Sequence, residues 1–261
     1  MVWPVLVFDI ETIPDVAGLR TLRAKVADLT DAQVLQAWRD ERAAKGQTDF
    51  APLHLQRVVA ISCVFRSTEG LKVHSFVDRD GQSEGRVVQS FFSAVDKHVP
   101  QLVSWNGGGF DLPVLHYRGL QHGVVADKYW DMGEDDREFK WNNYISRYHL
   151  RHLDLMDLLA MYQPKNNAPL DAMAKLCGFP GKLGMDGSQV HDVYLAGGIE
   201  EIRRYCETDV MNTYLLYCRY QKMRGGLLEE EYTKEMSLVR ETLAAWASTE
   251  PHWSEYMAAW T

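Results

Sequence analysis

The feature that most constrains this chain is an apolar run over residues 2–10 that ends in two carboxylates, Asp9 and Glu11. An uninterrupted run of this length, closed by acids, reads as a buried strand. It carries neither a basic start nor a small-residue cleavage site, so it is not read as a signal peptide. Alternation along a strand sends the Asp9 and Glu11 side chains to the same face. Two carboxylates placed so close repel each other unless something positive lies between them, and a hard divalent cation with oxygen ligands meets that need. An isolated D-x-E is more simply a solvated strand end, so the pair gains meaning from its companions.

The pattern of the remaining chain is strands first and helices later. Residues 57–65 and 71–77 are rich in β-branched side chains and bounded by turn formers, which predicts two strands beside the first. Between strands one and two, Thr30 or Asp31 can cap a helix reaching Lys45, with Val34, Leu35 and Trp38 on one side. Val87, Val88, Phe91, Phe92 and Val95 fall at helical spacing over 84–98. A short strand follows over 102–105, then a helix from near Phe110. Helices are expected over 153–162, 169–177, 188–196, 199–224 and 228–247. This order suits an α/β fold with a mixed central sheet of about five strands flanked by helices. Its 261 residues, 46% of them hydrophobic, can bury one substantial core, and no Ser/Gly/Pro-rich linker divides them. A single domain over 1–261 is therefore expected, with a helical insertion near 21–52.

A formal charge of −8 repels a polyanion at long range, so binding nucleic acid requires cations or a local basic patch. Residues 137–152 offer such a patch, interleaving Arg137, Lys140, Arg147 and Arg151 with Phe139, Trp141, Tyr144 and Tyr148. Phosphate contacts and stacking faces would come from the same segment; a β-hairpin or loop whose aromatics pack on the core is the equal alternative. Cys63, Cys177, Cys206 and Cys218 lack paired metal-type spacing and sit among core-like neighbours, as in a reducing cytoplasm. No apolar run is long enough for a membrane span.

Two further acidic sites accompany the first. In Trp105-Asn106-Gly107-Gly108-Gly109-Phe110-Asp111, the glycines permit close backbone approach to a ligand, and Asp111 follows at a helix start, either facing a cleft or capping the helix. Tyr205 and Asp209 lie one helical turn apart and can point into one site, while Glu207 points elsewhere and is expected to be solvated. His152, Asp154 and Asp157 suggest a metal set less well than a helix cap at Asp154. Trp246, Trp253, Tyr256, Met257 and Trp260 at the C-terminal end are expected to pack within the chain.

In this order, FDIET at 8–12, N-x3-FD at 106–111 and Y-x3-D at 205–209 resemble the three exonuclease motifs of the DEDD superfamily. Arg204 stands where the histidine of the other subclass would be, so the resemblance is to the tyrosine subclass. It is most marked toward the proofreading exonuclease domain of family-B DNA polymerases. WNGGGFDLPVL (105–115) and HLDLMDLL (152–159) also resemble segments of these exonucleases, whereas residues 21–52 have no counterpart. The chain lacks the length for polymerase palm, fingers and thumb, so a stand-alone exonuclease is expected.

The resemblance implies a ribonuclease-H-like fold in which Asp9, Glu11, Asp111 and Asp209 hold two magnesium or manganese ions. Tyr205 would orient the attacking water, and Thr12, Asn106 and Phe110 would touch the terminal nucleotide. The implied substrate is the 3′ end of single-stranded nucleic acid, DNA favoured, and the implied products are nucleoside 5′-monophosphates. Two other functions are compatible with the sequence: a catalytically silent module that binds nucleic acid or protein, and a phosphodiesterase of short oligonucleotides.

Overall fold

The computed structural model of the chain describes residues 4–23 and 27–261. Among these, the first strand, β1, spans Val5–Pro14; residues 2 and 3 of the apolar run lie outside the described residues. The other strands are β2 (Gln56–Ser67), β3 (Gly70–Val77), β4 (Gln101–Ser104) and β5 (His152–Asp154). Their order in the sheet is β3-β2-β1-β4-β5. β1, β2 and β3 pair antiparallel, and β4 and β5 run parallel on the other side of β1. The structure is thus α/β with a mixed five-stranded sheet flanked by helices, as in a ribonuclease-H-like exonuclease fold.

β1 is central, which is why its sequence is apolar on both faces. Val5 and Val7 join one core, with Val210, Tyr214, Val239 and Trp253. Leu6, Phe8 and Ile10 join the other, with Val88, Phe91, Phe92 and Leu115. The helices of the first half are α1 (Val16–Leu22), α2 (Asp31–Ala44), α3 (Glu84–His98) and α4 (Asp111–His122). Then come α5 (Asp127–Trp130), α6 (Leu155–Leu159), α7 (Leu170–Leu176), α8 (Val190–Leu195), α9 (Ile199–Met223), α10 (Glu229–Trp246) and α11 (His252–Ala258). α3 and α4 cover the even-numbered face of β1, while α9, α10 and α11 cover the odd-numbered face. Buried Arg118 on α4 pairs with Asp15 just after β1 and with Glu84 at the start of α3. It fixes these three elements relative to one another.

Two expectations need correction. Residues 152–154 form β5 before helix α6 begins, because Leu102–Ser104 of β4 present an edge that His152–Asp154 can pair in parallel. Three residues are too few for periodicity to reveal a strand. Glu207 is not solvated: it is 4% exposed and bound by Ser75, Arg203 and His252. α9 runs through the middle of the fold and is buried nearly all round, so the face turned from Tyr205 and Asp209 meets protein instead of water.

The helix between β1 and β2 starts at Thr30, whose capping box with Gln33 satisfies donors at the helix start. Val34, Leu35 and Trp38 pack there with Leu19, Ala51 and Leu55. Trp253, Tyr256 and Trp260 are buried in the α9 core. No helix among the described residues is long and apolar enough to cross a membrane.

Candidate active site

Asp9 and Glu11 occupy the odd-numbered face of β1 and therefore look toward α9. A bulge follows at once, with register shifting between Glu11 and Thr12, a distortion common where a strand presents functional side chains. β4 pairs with β1 only as far as Val7, so the Ile10 N–H on that edge has no ladder partner. The Asp111 carboxylate at the start of α4 supplies one, with Oδ1 accepting from Ile10 N at 3.1 Å. One hydrogen bond thereby draws the second acidic motif against the first.

Tyr205 and Asp209, both buried, approach from α9. Asp9 and Glu11 are each perturbed by both Asp111 and Asp209. Burial, then the charges of Asp111 and Asp209, hold the Asp9 carboxyl well above the ordinary range. Burial, then Asp9 and Asp209, do the same to Glu11. Burial pushes Asp111 up to about 7, and also raises Asp209 despite its ion pair. Burial is the first cause of each shift, and for Asp9 and Glu11 the neighbouring carboxylates add to it.

The positive group present is Lys182, which the sequence reading missed. Its Nζ lies 3.2 Å from Asp209 Oδ2, donates to the Tyr205 hydroxyl, and sits 5.0 Å from the centroid of that ring. Its loop, between α7 and α8, is clamped to α9 by Asn212, which accepts from Gly181 N and donates to Gly181 O. Tyr256 of α11 holds the same Asn212. The sequence signal was a Gly-Lys in a turn-rich segment, with no periodicity to mark it.

One ammonium cannot neutralise four carboxylates, and Asp209 Oδ1 is buried without a hydrogen-bond partner among the described residues. An orphaned buried carboxylate oxygen among other acids fits a divalent cation with oxygen ligands. The Cys206 thiol lies 3.7 Å from Asp9 Oδ2, and ligand atoms of Asp9, Glu11 and Cys206 lie within 4.8 Å of one another. Burial, reinforced by the Asp9 and Glu11 charges, pushes that thiol well up, so it stays protonated beside the acids.

The glycine-rich loop is built for its own packing as much as for a ligand. A Cβ on Gly107 would lie 2.3 Å from Ser104 Oγ, and one on Gly108 3.2 Å from Asp154 Oδ2. Asp154 caps α6 through Asp157 N and accepts from Asn106 N and Gly108 N, so it ties the loop down and needs no metal role. His152 bonds Ser104 Oγ, and burial lowers its pKa to about 4, leaving it neutral. Asn106 takes a left-handed conformation, φ 70°. A cavity of about 490 Å³ opens beside this loop, lined among others by Asn106, Gly108, Leu112, Tyr148 and His152.

Of the residues implied to touch a nucleotide, Thr12 has its hydroxyl engaged with Gln56 Oε1 at 2.9 Å, and Phe110 stands directly before Asp111 with its ring against Phe50. The basic segment divides. Phe139 and Tyr144 are buried, and Arg151 stacks over Phe139. Trp141 and Tyr148 are 76% and 73% exposed, and Arg147 is paired with Asp157.

A family model described as a predicted 3′-5′ exonuclease related to the exonuclease domain of PolB matches residues 48–260. That span is more than half of the chain and contains Asn106 to Asp111, Lys182, and Tyr205 to Asp209. No curated protein matches the chain.

Proposed function

The chain belongs to the family of predicted 3′-5′ exonucleases related to the exonuclease domain of PolB, and on that premise we propose that it removes nucleotides from the 3′ end of single-stranded nucleic acid, DNA by preference. The reaction is hydrolysis of the terminal phosphodiester to a nucleoside 5′-monophosphate, within a single ribonuclease-H-like domain of the tyrosine subclass. The observation that carries this reading is the convergence of Asp9, Glu11 and Asp209 on one ammonium, with Asp111 bonded to the same strand and a carboxylate oxygen left unpaired.

Asp9, Glu11, Asp111 and Asp209 would hold two magnesium or manganese ions. Bound there, such ions would supply Lewis acidity, lowering the pKa of a water and offsetting charge on the phosphate and the leaving 3′ oxygen. The chain's own residues do the rest. The Tyr205 hydroxyl, held well above its ordinary pKa by burial and nearby carboxylates, stays protonated and orients the attacking water by hydrogen bonding. Lys182 fixes that hydroxyl and offsets part of the acidic charge. Asn106, Phe110 and Thr12 border the place of the terminal nucleotide. Four cysteines, all free, suit the reducing cytoplasm.

The test is degradation of 5′-labelled single-stranded DNA and RNA of equal sequence with magnesium, manganese or chelator, beside the Asp9→Ala protein. The expected result is a ladder shortening from the 3′ end that needs both metal and Asp9, faster on DNA. Cleavage that survives chelation or Asp9→Ala would overturn the mechanism, and cleavage of dinucleotides alone would mark a short-oligonucleotide phosphodiesterase.

A further inference from the structure

We infer that Phe50, from the segment leading out of the α1–α2 region, is a base-stacking residue for the nucleotide at the 3′ end. The inference rests on the exonuclease reading above and extends it to a residue that none of the three acidic motifs contains.

Phe50 is a large apolar side chain left 57% exposed, yet its ring meets that of Phe110 at a centroid distance of 5.9 Å with planes 48° apart. Phe110 immediately precedes Asp111, so the pair of rings is tied through the backbone to one acid of the cluster. The position of Phe50 is fixed from its other side as well. Its neighbour Ala51 is buried, and the Ala51 carbonyl accepts from Gln56 Nε2 at 2.8 Å. Gln56, itself buried, accepts from Thr12 Oγ1, and Thr12 follows Glu11. A short chain of hydrogen bonds thus runs from the acids of β1 to the backbone next to Phe50. About two turns further along α4, Tyr117 meets His54 edge-on at 6.2 Å, continuing the aromatic wall away from the acids.

A ring that is more than half exposed, anchored through its neighbour's backbone and in tilted contact with one other ring offers its open surface for stacking. Every nucleobase has a π-face, so such a ring grips an unpaired end without reading its sequence. A terminal base already stacked in a duplex would not be free to use it. Phe50, near the start of the span that the family model matches, is thus a device that favours frayed or single-stranded ends.

The experiment compares wild type with Phe50→Ala, Phe50→Leu and Phe50→Trp on a single-stranded DNA oligonucleotide whose 3′ nucleotide is 2-aminopurine. Cleavage is followed in magnesium, and binding by 2-aminopurine fluorescence in chelator. Stacking predicts that Phe50→Ala and Phe50→Leu each raise KM and Kd about tenfold with kcat changed less than about twofold, and lose the fluorescence quenching on binding. Phe50→Trp should restore both. The leucine variant keeps apolar bulk, so wild-type behaviour there would assign the residue to packing and overturn stacking. An active wild type with unaltered KM and quenching in Phe50→Ala would remove the inference and leave the exonuclease reading intact. A wild type that cleaves nothing would remove both.

Discussion

Glu207 and Asp209 lie two positions apart on α9 and face different parts of the fold: Glu207 is enclosed by Ser75, Arg203 and His252, while Asp209 meets Lys182 and leaves one oxygen unpaired. Removing one partner of a buried charged network leaves the others uncompensated, which costs about 3–5 kcal/mol. Glu207→Ala should therefore lower Tm by several degrees whether or not metal is present, as calorimetry would register. Asp209→Asn should leave Tm in chelator unchanged or raised, because it removes a carboxylate from an overcrowded cluster, and should lose any stabilisation by magnesium. Equal loss of stability in both variants would contradict this division.

The same crowding makes stability depend on pH. Asp111 is pushed up to about 7 by burial, whereas a carboxyl in the unfolded chain titrates near about 3.9. A group whose folded pKa is raised contributes stability that is fully present below the unfolded value and is lost as pH rises through the folded one. Asp9, Glu11 and Asp209 shift in the same direction. In chelator, Tm should fall between about pH 4 and 8 more steeply than in an Asp9→Asn/Asp111→Asn protein. Millimolar magnesium should flatten the decline by taking the place of the protons. A Tm indifferent to magnesium at pH 8 would argue against a cation site.

The sequence exposed the parts of this arrangement that repeat or alternate. The apolar run at residues 2–10 marked a buried strand, though not its central place in the sheet, and alternation alone put Asp9 and Glu11 on one face; the helix over 84–98 was equally plain from its apolar spacing. What stayed hidden depends on long-range contact. β5 is too short to show a period, and Glu207 is buried because β3 and α11, distant in the chain, both meet it. Lys182 reaches the carboxylates through a loop whose course is set by Asn212, some thirty positions later in the chain. Phe50 gained meaning only when its ring was found against Phe110.

Lys182 should matter for both stability and rate. Its removal in Lys182→Met takes away the positive charge beside Asp209, so the carboxylates should bind protons more tightly and magnesium binding should shift to higher pH. The Tyr205 hydroxyl would also lose its fixed donor. We expect kcat to fall about 10- to 100-fold, the range for a misplaced reacting group, with KM for the oligonucleotide changed much less. Lys182→Arg should recover the pH dependence of magnesium binding but not the full rate, because a guanidinium cannot reproduce the point contact of an ammonium. Recovery of neither would mean that the lysine acts through the loop's structure.

Tyr205→Phe separates positioning of water from proton transfer. Burial and the neighbouring carboxylates hold the hydroxyl well above its ordinary pKa, so near neutral pH it is protonated and does not serve as a base. The phenylalanine variant should bind magnesium and the 3′ end as wild type does, while kcat falls about 10- to 100-fold. The shape of its pH-rate profile should be unchanged, since the titrating groups are the carboxylates and they remain in place. A profile that loses its alkaline or acidic limb in Tyr205→Phe would instead assign the tyrosine to proton transfer. Full activity would remove it from the chemistry and leave Lys182 and the four acids to orient the water.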